Sequence, residues 1–180
     1  MSPTSTMKEN PLQYRVRGTP VPTTQTRGTN YPKSTGYHQQ FGKRLEEFHA
    51  VAIPAMLAEL SREQEEQVTQ GAKEFPFDAV LDALNSKHSY EDKVSRILAM
   101  SGTWMNAASG SQWALGPLSS TAYSERVGIG VRWGEIAFSP LLNIAENLID
   151  TYPTWPGVLR EFAQNQEDAR DYFSQRLREI

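Results

Sequence analysis

The sequence predicts an all-α (mainly α) body of five or six helices, preceded by an extended N-terminal arm. Three observations carry this reading. Apolar residues recur at spacings of three and four through most of residues 41–180. Helix-starting and helix-ending residues stand at the joints of those stretches. Residues 1–40, by contrast, contain 19 Pro, Gly, Ser or Thr and too few apolar side chains to repay their own ordering.

At 180 residues the chain is long enough for one domain with a real core. No run of about 18 apolar residues exists, so no membrane span is expected. Cysteine is absent, which excludes disulfides, thiolate metal sites and a cysteine nucleophile. Residues 1–10 lack an apolar signal region. The predicted location is therefore intracellular (cytoplasmic) or within an assembled particle, with no recognisable secretion signal.

The arm comes first. Pro20, Pro22 and Pro32 favour extended backbone. Stretched, 40 residues reach roughly 130 Å, against about 30–35 Å for a compact body of the remaining length. Charge divides the chain in a similar way. Residues 1–44 hold seven basic and one acidic side chain, and residues 45–180 hold 11 and 20, so a basic arm of +6 precedes an acidic body of −9. Arg17-Gly18-Thr19 recurs as Arg27-Gly28-Thr29, and tyrosines flank the charges. Guanidinium and ammonium groups pair with phosphates, and tyrosine rings stack on exposed bases. The candidate contact residues are therefore Arg15, Arg17, Arg27, Lys33, Lys43, Arg44, Tyr14, Tyr31 and Tyr37. Docking on another protein fits the same composition, and both partners stay open.

The body, residues 41–180, starts with a stripe of Phe41, Leu45, Phe48, Ala52, Met56 and Leu60. Pro54 either kinks this helix or sits in the first turn of a second one. Ser61 and Gln64 have capping-box spacing, and Gly71 can end what they start. Pro76 opens a short helix with the stripe Phe77, Val80, Leu81 and Leu84. Ser89 caps a central helix facing inward with Tyr90, Val94, Ile97, Leu98, Ser101, Trp104, Met105 and Ala108. The small residues Ser101, Gly102, Ala107 and Ala108 predict close approach of another helix.

Residues 109–138 read as an irregular Gly-rich segment with at most one short hairpin. Val127, Ile129, Val131 and Trp133 alternate with Gly128, Gly130 and Arg132 as in a strand. Tyr123, Val127, Val131, Gly134 and Phe138 fit a helix equally, so 126–133 stays undecided between the two. The glycine spacing misses a dinucleotide loop by one residue and has no βαβ context. Ser139-Pro140 then predicts a capped helix with the stripe Leu141, Ile144, Ala145, Leu148 and Ile149. A rigid loop, Tyr152 to Gly157, leads to a short helix around Val158, Leu159 and Phe162. Asn165 caps a last helix whose apolar face is Ala169, Tyr172, Phe173, Leu177 and Ile180. The expected core includes Phe48, Leu81, Ile97, Leu98, Trp104, Ile144, Leu148 and Phe173.

Catalytic signatures are missing: no HExxH, no Walker loop, no Gly-x-Ser-x-Gly and no calcium loop. His38, His49 and His88 have no recognisable partner in sequence. The reading is therefore non-enzymatic, with no metal and no cofactor. What remains is a self-assembling structural subunit of a coat or nucleoprotein type. It would be a homo-oligomer whose arm contacts neighbouring subunits and an enclosed nucleic acid. The alternative is an adaptor or accessory subunit whose arm folds onto a different protein.

Overall fold

The longest buried helix sets the architecture, and the sequence builds it locally. In the computed structural model, residues 13–15, 21–22, 48–117, 123–124 and 126–179 are described. Six α-helices occur among them: α1 (Ile53–Leu57), α2 (Arg62–Thr69), α3 (Phe77–Asn85), α4 (Tyr90–Ser109), α5 (Leu141–Thr151) and α6 (Val158–Arg178). A π-helical turn, Phe48–Ala52, leads directly into α1, with Pro54 in its first turn. α4 touches each of the other five helices and two strands. Its N-terminus is held by the Ser89 hydroxyl, which accepts from the Asp92 N–H at 3.2 Å. Gly110, with φ of 82°, ends it. Ile97, Leu98 and Trp104 of α4 are fully buried.

Where the residues are described the predicted helices hold, with two corrections; Phe41 and Leu45 of the first stripe and Ile180 of the last lie outside the described residues. Val158–Arg178 is one unbroken helix, so Asn165 is an exposed interior residue and not a cap. Ser139 closes a strand, and Pro140 takes the cap position of α5 with no side-chain hydrogen bond. The small positions of α4 also serve a different purpose from the one expected. A Cβ on Gly102 would lie 2.0 Å from the Trp113 indole, so this glycine makes room for a ring on a strand. At Ala107 and Ala108 the close neighbour is the turn at Gly71, not a helix.

The larger correction concerns residues 109–138. The molecule is helix-rich but not a pure bundle, because this segment forms strands and not an irregular loop. They are β3 (Gln112–Pro117), β4 (Tyr123–Ser124), β5 (Arg126–Trp133) and β6 (Ala137–Ser139). Strand wins over helix at 126–133 because β3 and β6 pair along β5, while Gly128 and Gly130 weaken a helix. β5 pairs antiparallel with β3, from Trp113↔Val131 through Leu115↔Ile129 to Gly116↔Gly128. It also pairs with β6 and with β1 (Gln13–Arg15), which exceeds one short hairpin. β2 (Val21–Pro22) pairs with β4 in a separate two-stranded piece.

The core is continuous from Phe48 to Ala163 and draws on the helices, β3 and β5. Of the expected core, Phe48, Ile97, Leu98, Trp104 and Leu148 are buried, and Leu81, Ile144 and Phe173 pack against it half-buried. The loop 72–75 is tied down by polar groups. Trp104 Nε1 donates to the Ala72 carbonyl at 2.8 Å, and Glu167 accepts from the Phe75 N–H at 2.7 Å. Arg170 donates to the Lys73 carbonyl and lies 5.4 Å from the Trp104 ring. No helix among the described residues is long and apolar enough to cross a membrane.

Candidate functional site

The sheet has two unlike faces, and alternation assigns each residue to one of them. The inner face carries Trp113, Leu115, Ile129, Val131 and Trp133, all in or against the core. Trp133 stacks on Phe173 with ring centroids 4.3 Å apart, and its Nε1 donates to Ser109 Oγ at 2.7 Å. Trp113 meets Phe48 edge-on at 5.8 Å. Its Nε1 reaches the Asn106 amide oxygen at 3.1 Å when that amide is oriented to donate to Ser111. Helix and sheet are thus buckled together by two indoles.

The outer face carries Gln112, Ala114 and Gly116 of β3, Gly128, Gly130 and Arg132 of β5, and Phe138 of β6. Its floor is small and buried: Ala114, Gly116, Gly128 and Gly130. The Phe138 ring lies across that floor. A Cβ on Gly130 would come within 2.8 Å of it, and one on Gly116 within 2.8 Å as well. Register puts Arg15 of β1 opposite Arg126 and Gln13 opposite Gly128. Among the described side chains, no aspartate or glutamate occupies this face in β3, β5 or β6. Arg132 is half-buried and forms no salt bridge among the described residues. Other arginines are engaged: Arg96 with Glu59 at 2.9 Å, Arg170 with Asp171 at 2.8 Å and Arg62 with Glu66 at 3.5 Å.

Of the predicted contact residues, Tyr14 and Arg15 fall in β1. Tyr14 takes the register position opposite Val127, and Arg15 that opposite Arg126. Arg17, Arg27, Tyr31, Lys33, Tyr37, Lys43 and Arg44 lie outside the described residues. Sequence reasoning misses Arg132. Its signal is faint: one arginine in an alternation of glycines and apolar residues, on the strand reading of a segment that also fits a helix.

Two other places carry polar groups. A shallow cavity of about 170 Å³ lies between α1, α2, α3 and α4, with Met56, Leu60 and Met100 in its lining. Its rim groups answer one another, through Arg96 with Glu59 and through Gln64 Nε2 donating to Asp82 at 3.1 Å. His88 lines it, while His49 is exposed on the π-helical turn. Elsewhere Tyr90 lies near Glu146 and Asp150 of α5. Burial first, then the charges of Glu146 and Asp150, and a hydrogen bond to Asp150, push its phenol up to about 12. No group of three or more metal-ligating side chains occurs among the described residues.

Comparison with known protein families, with curated proteins and with solved structures returns no match.

Proposed function

We propose that the chain is a self-assembling structural subunit of a coat or nucleoprotein type. In this reading the helical body packs with copies of itself, and the basic N-terminal segment contacts neighbouring subunits and an enclosed nucleic acid. The observation that supports it is the strand addition of Gln13–Arg15 to β5. Backbone pairing is blind to which chain supplies the strand, so one edge of β5 accepts its own arm or a neighbour's on equal terms. The +6 of residues 1–44 would then offset repulsion between bodies that carry −9 over residues 45–180.

Light scattering behind size exclusion, with absorbance at 260 and 280 nm, tests this on the full chain. A large particle, weakened by removal of residues 1–40, is the expected result. A monomer overturns it and leaves the adaptor reading. The absence of cysteine permits a cleaner version. Tyr14→Cys with Val127→Cys, placed at one register position, should oxidise to a reducible ladder of linked chains. A disulfide closed only within single chains would show that the arm stays on its own body.

A further inference from the structure

We propose that Trp155 is an anchor for self-association and that it seats in the cavity between α1, α2, α3 and α4 of a second copy of the chain. The proposal rests on the self-assembly reading above and names one contact between bodies.

The loop from Tyr152 to Gly157 presents its indole ready for a partner. Trp155 is 48% exposed, and residues 153–157 are all exposed around it. The chain has four tryptophans. The other three spend their indole N–H inside the molecule: Trp104 on the Ala72 carbonyl, Trp133 on Ser109 and Trp113 on Asn106. Trp155 Nε1 has no hydrogen-bond partner among the described residues. Its posture is fixed all the same. Pro153 and Pro156 restrict the backbone, and the N–H groups of Thr154 and Trp155 both donate to the Thr151 carbonyl, at 3.1 and 3.0 Å. The ring lies against Gly157, where a Cβ would come 2.7 Å from Nε1. A large aromatic held in place before binding loses little entropy on docking, which is the property of an interface anchor.

The cavity complements that ring. Met56, Leu60, Ala83 and Met100 give it an apolar lining, and thioethers pack well on aromatic rings. Its volume is about 170 Å³, and a cavity of about 150 Å³ already admits a benzene-sized ring. Asp82 stands at its rim. The Asp82 carboxylate accepts from the Gln64 amide but pairs with no cation among the described residues. An indole N–H only donates and a carboxylate only accepts, so the unspent donor and the unpaired charge suit each other.

Anchor and cavity lie at one edge of the molecule. The Tyr152 hydroxyl donates to Asn85 Oδ1 at 3.4 Å, and Asn85 precedes Ser86 of the cavity lining. Such neighbours suit a two-fold pair, in which each copy gives its Trp155 and receives the other's. Two buried aromatic rings contribute roughly 300–500 Å², short of the ~1,200 Å² of a stable interface. The contact is therefore weak alone and adds to strand addition without replacing it.

The test uses the full chain, by sedimentation equilibrium and by acrylamide quenching of tryptophan emission. Trp104 and Trp133 are buried, so Trp155 dominates the quenchable emission of a monomer, and quenching should fall as the chain associates. Trp155→Ala should weaken association about tenfold or more, as loss of an aromatic anchor does. Asp82→Leu, a change at an exposed position, removes the acceptor, adds bulk at the mouth and should do the same. The two variants are then mixed. The Asp82→Leu copy still carries an indole, and the Trp155→Ala copy still carries an open cavity. The mixed pair should associate more tightly than either variant alone. No gain on mixing, or a Trp155→Ala chain that associates like wild type, overturns the contact. So does quenching that stays constant through association. A wild type that stays monomeric also overturns it and leaves Trp155 to a different partner. The assembly reading fails separately. A Trp155-dependent dimer that grows no further refutes a coat and leaves this contact standing. A large particle indifferent to Trp155→Ala does the reverse.

Discussion

The helical shell and the sheet solve the same packing problem with different kinds of information. Around α4, each helix is specified by its own residues. Ser61 and Gln64 close a reciprocal capping box at 3.1 and 3.3 Å, Ser89 caps α4, and apolar stripes turn inward. In the sheet, little is settled locally. β5 becomes a strand because β3, β6 and β1 line up beside it, and β1 comes from more than a hundred residues away. The helical region therefore stores stability, while the sheet has one face tied into that core and another left to glycine and arginine.

The strongest way to break the comparison is to attack the shared core. Ile97→Ala or Leu148→Ala should each cost about 2–5 kcal/mol, through lost burial and the cavity left behind. Both side chains are essentially inaccessible to solvent. Because the core spans helices and strands, far-UV circular dichroism and tryptophan fluorescence should report one coincident denaturant transition. Two separate transitions would mean that the sheet folds apart from the helices.

A smaller perturbation probes the seam itself. Gly102→Ala puts a methyl 2.0 Å from the Trp113 ring, against β3. Overpacking of this kind costs about 1–3 kcal/mol. The indole must move, so the change should alter tryptophan fluorescence while helix content stays level. A variant as stable as wild type, with unchanged emission, would show that Trp113 is not wedged against α4.

Legibility follows the same division. Capping, proline placement and periodicity act within a few residues, so the helices and most of the core are written in the sequence itself. Asn165 misleads because a good capping residue also tolerates a helix interior. Here Gln166, buried two turns into α6, and Glu167, bonded to the Phe75 N–H, hold the helix through that position. Ser139-Pro140 resembles a helix start because strand β6 is only three residues long and ends on that serine. Residues 126–133 fit two periods at once, and only the neighbouring strands decide between them. The candidate site is least legible of all. Arg15 stands out for the company it keeps in the arm, but its partner Arg126 is defined by register, which sequence spacing does not encode. Gly102 is visibly small, although the ring it accommodates sits on a strand that local spacing does not reveal.

The smallest expected effect lies at the far side of the helical region and depends on pH. Tyr90 opens α4 beside Glu146 and Asp150 of α5, and its phenol is pushed up from 10.0 to about 12 by burial, then by those charges and the bond to Asp150. In the unfolded chain the phenol ionises near 10, and in the folded chain it holds its proton longer. The folded state therefore binds more protons between pH 10 and 12, and stability falls as pH rises through that window. Below pH 10 both states are neutral at this position and no dependence arises from it. Tyr90→Phe removes the titrating group, so part of the alkaline fall should flatten between pH 10 and 12. Tyr90 is half-buried and still reached by solvent, so screening keeps the change modest. The measurement is denaturant stability of wild type and variant from pH 7 to about 11.5. Parallel curves above pH 10 would show that neither burial nor the two carboxylates raise this phenol. A flattened curve with sheet fluorescence unchanged would confine the effect to the helical side of the molecule.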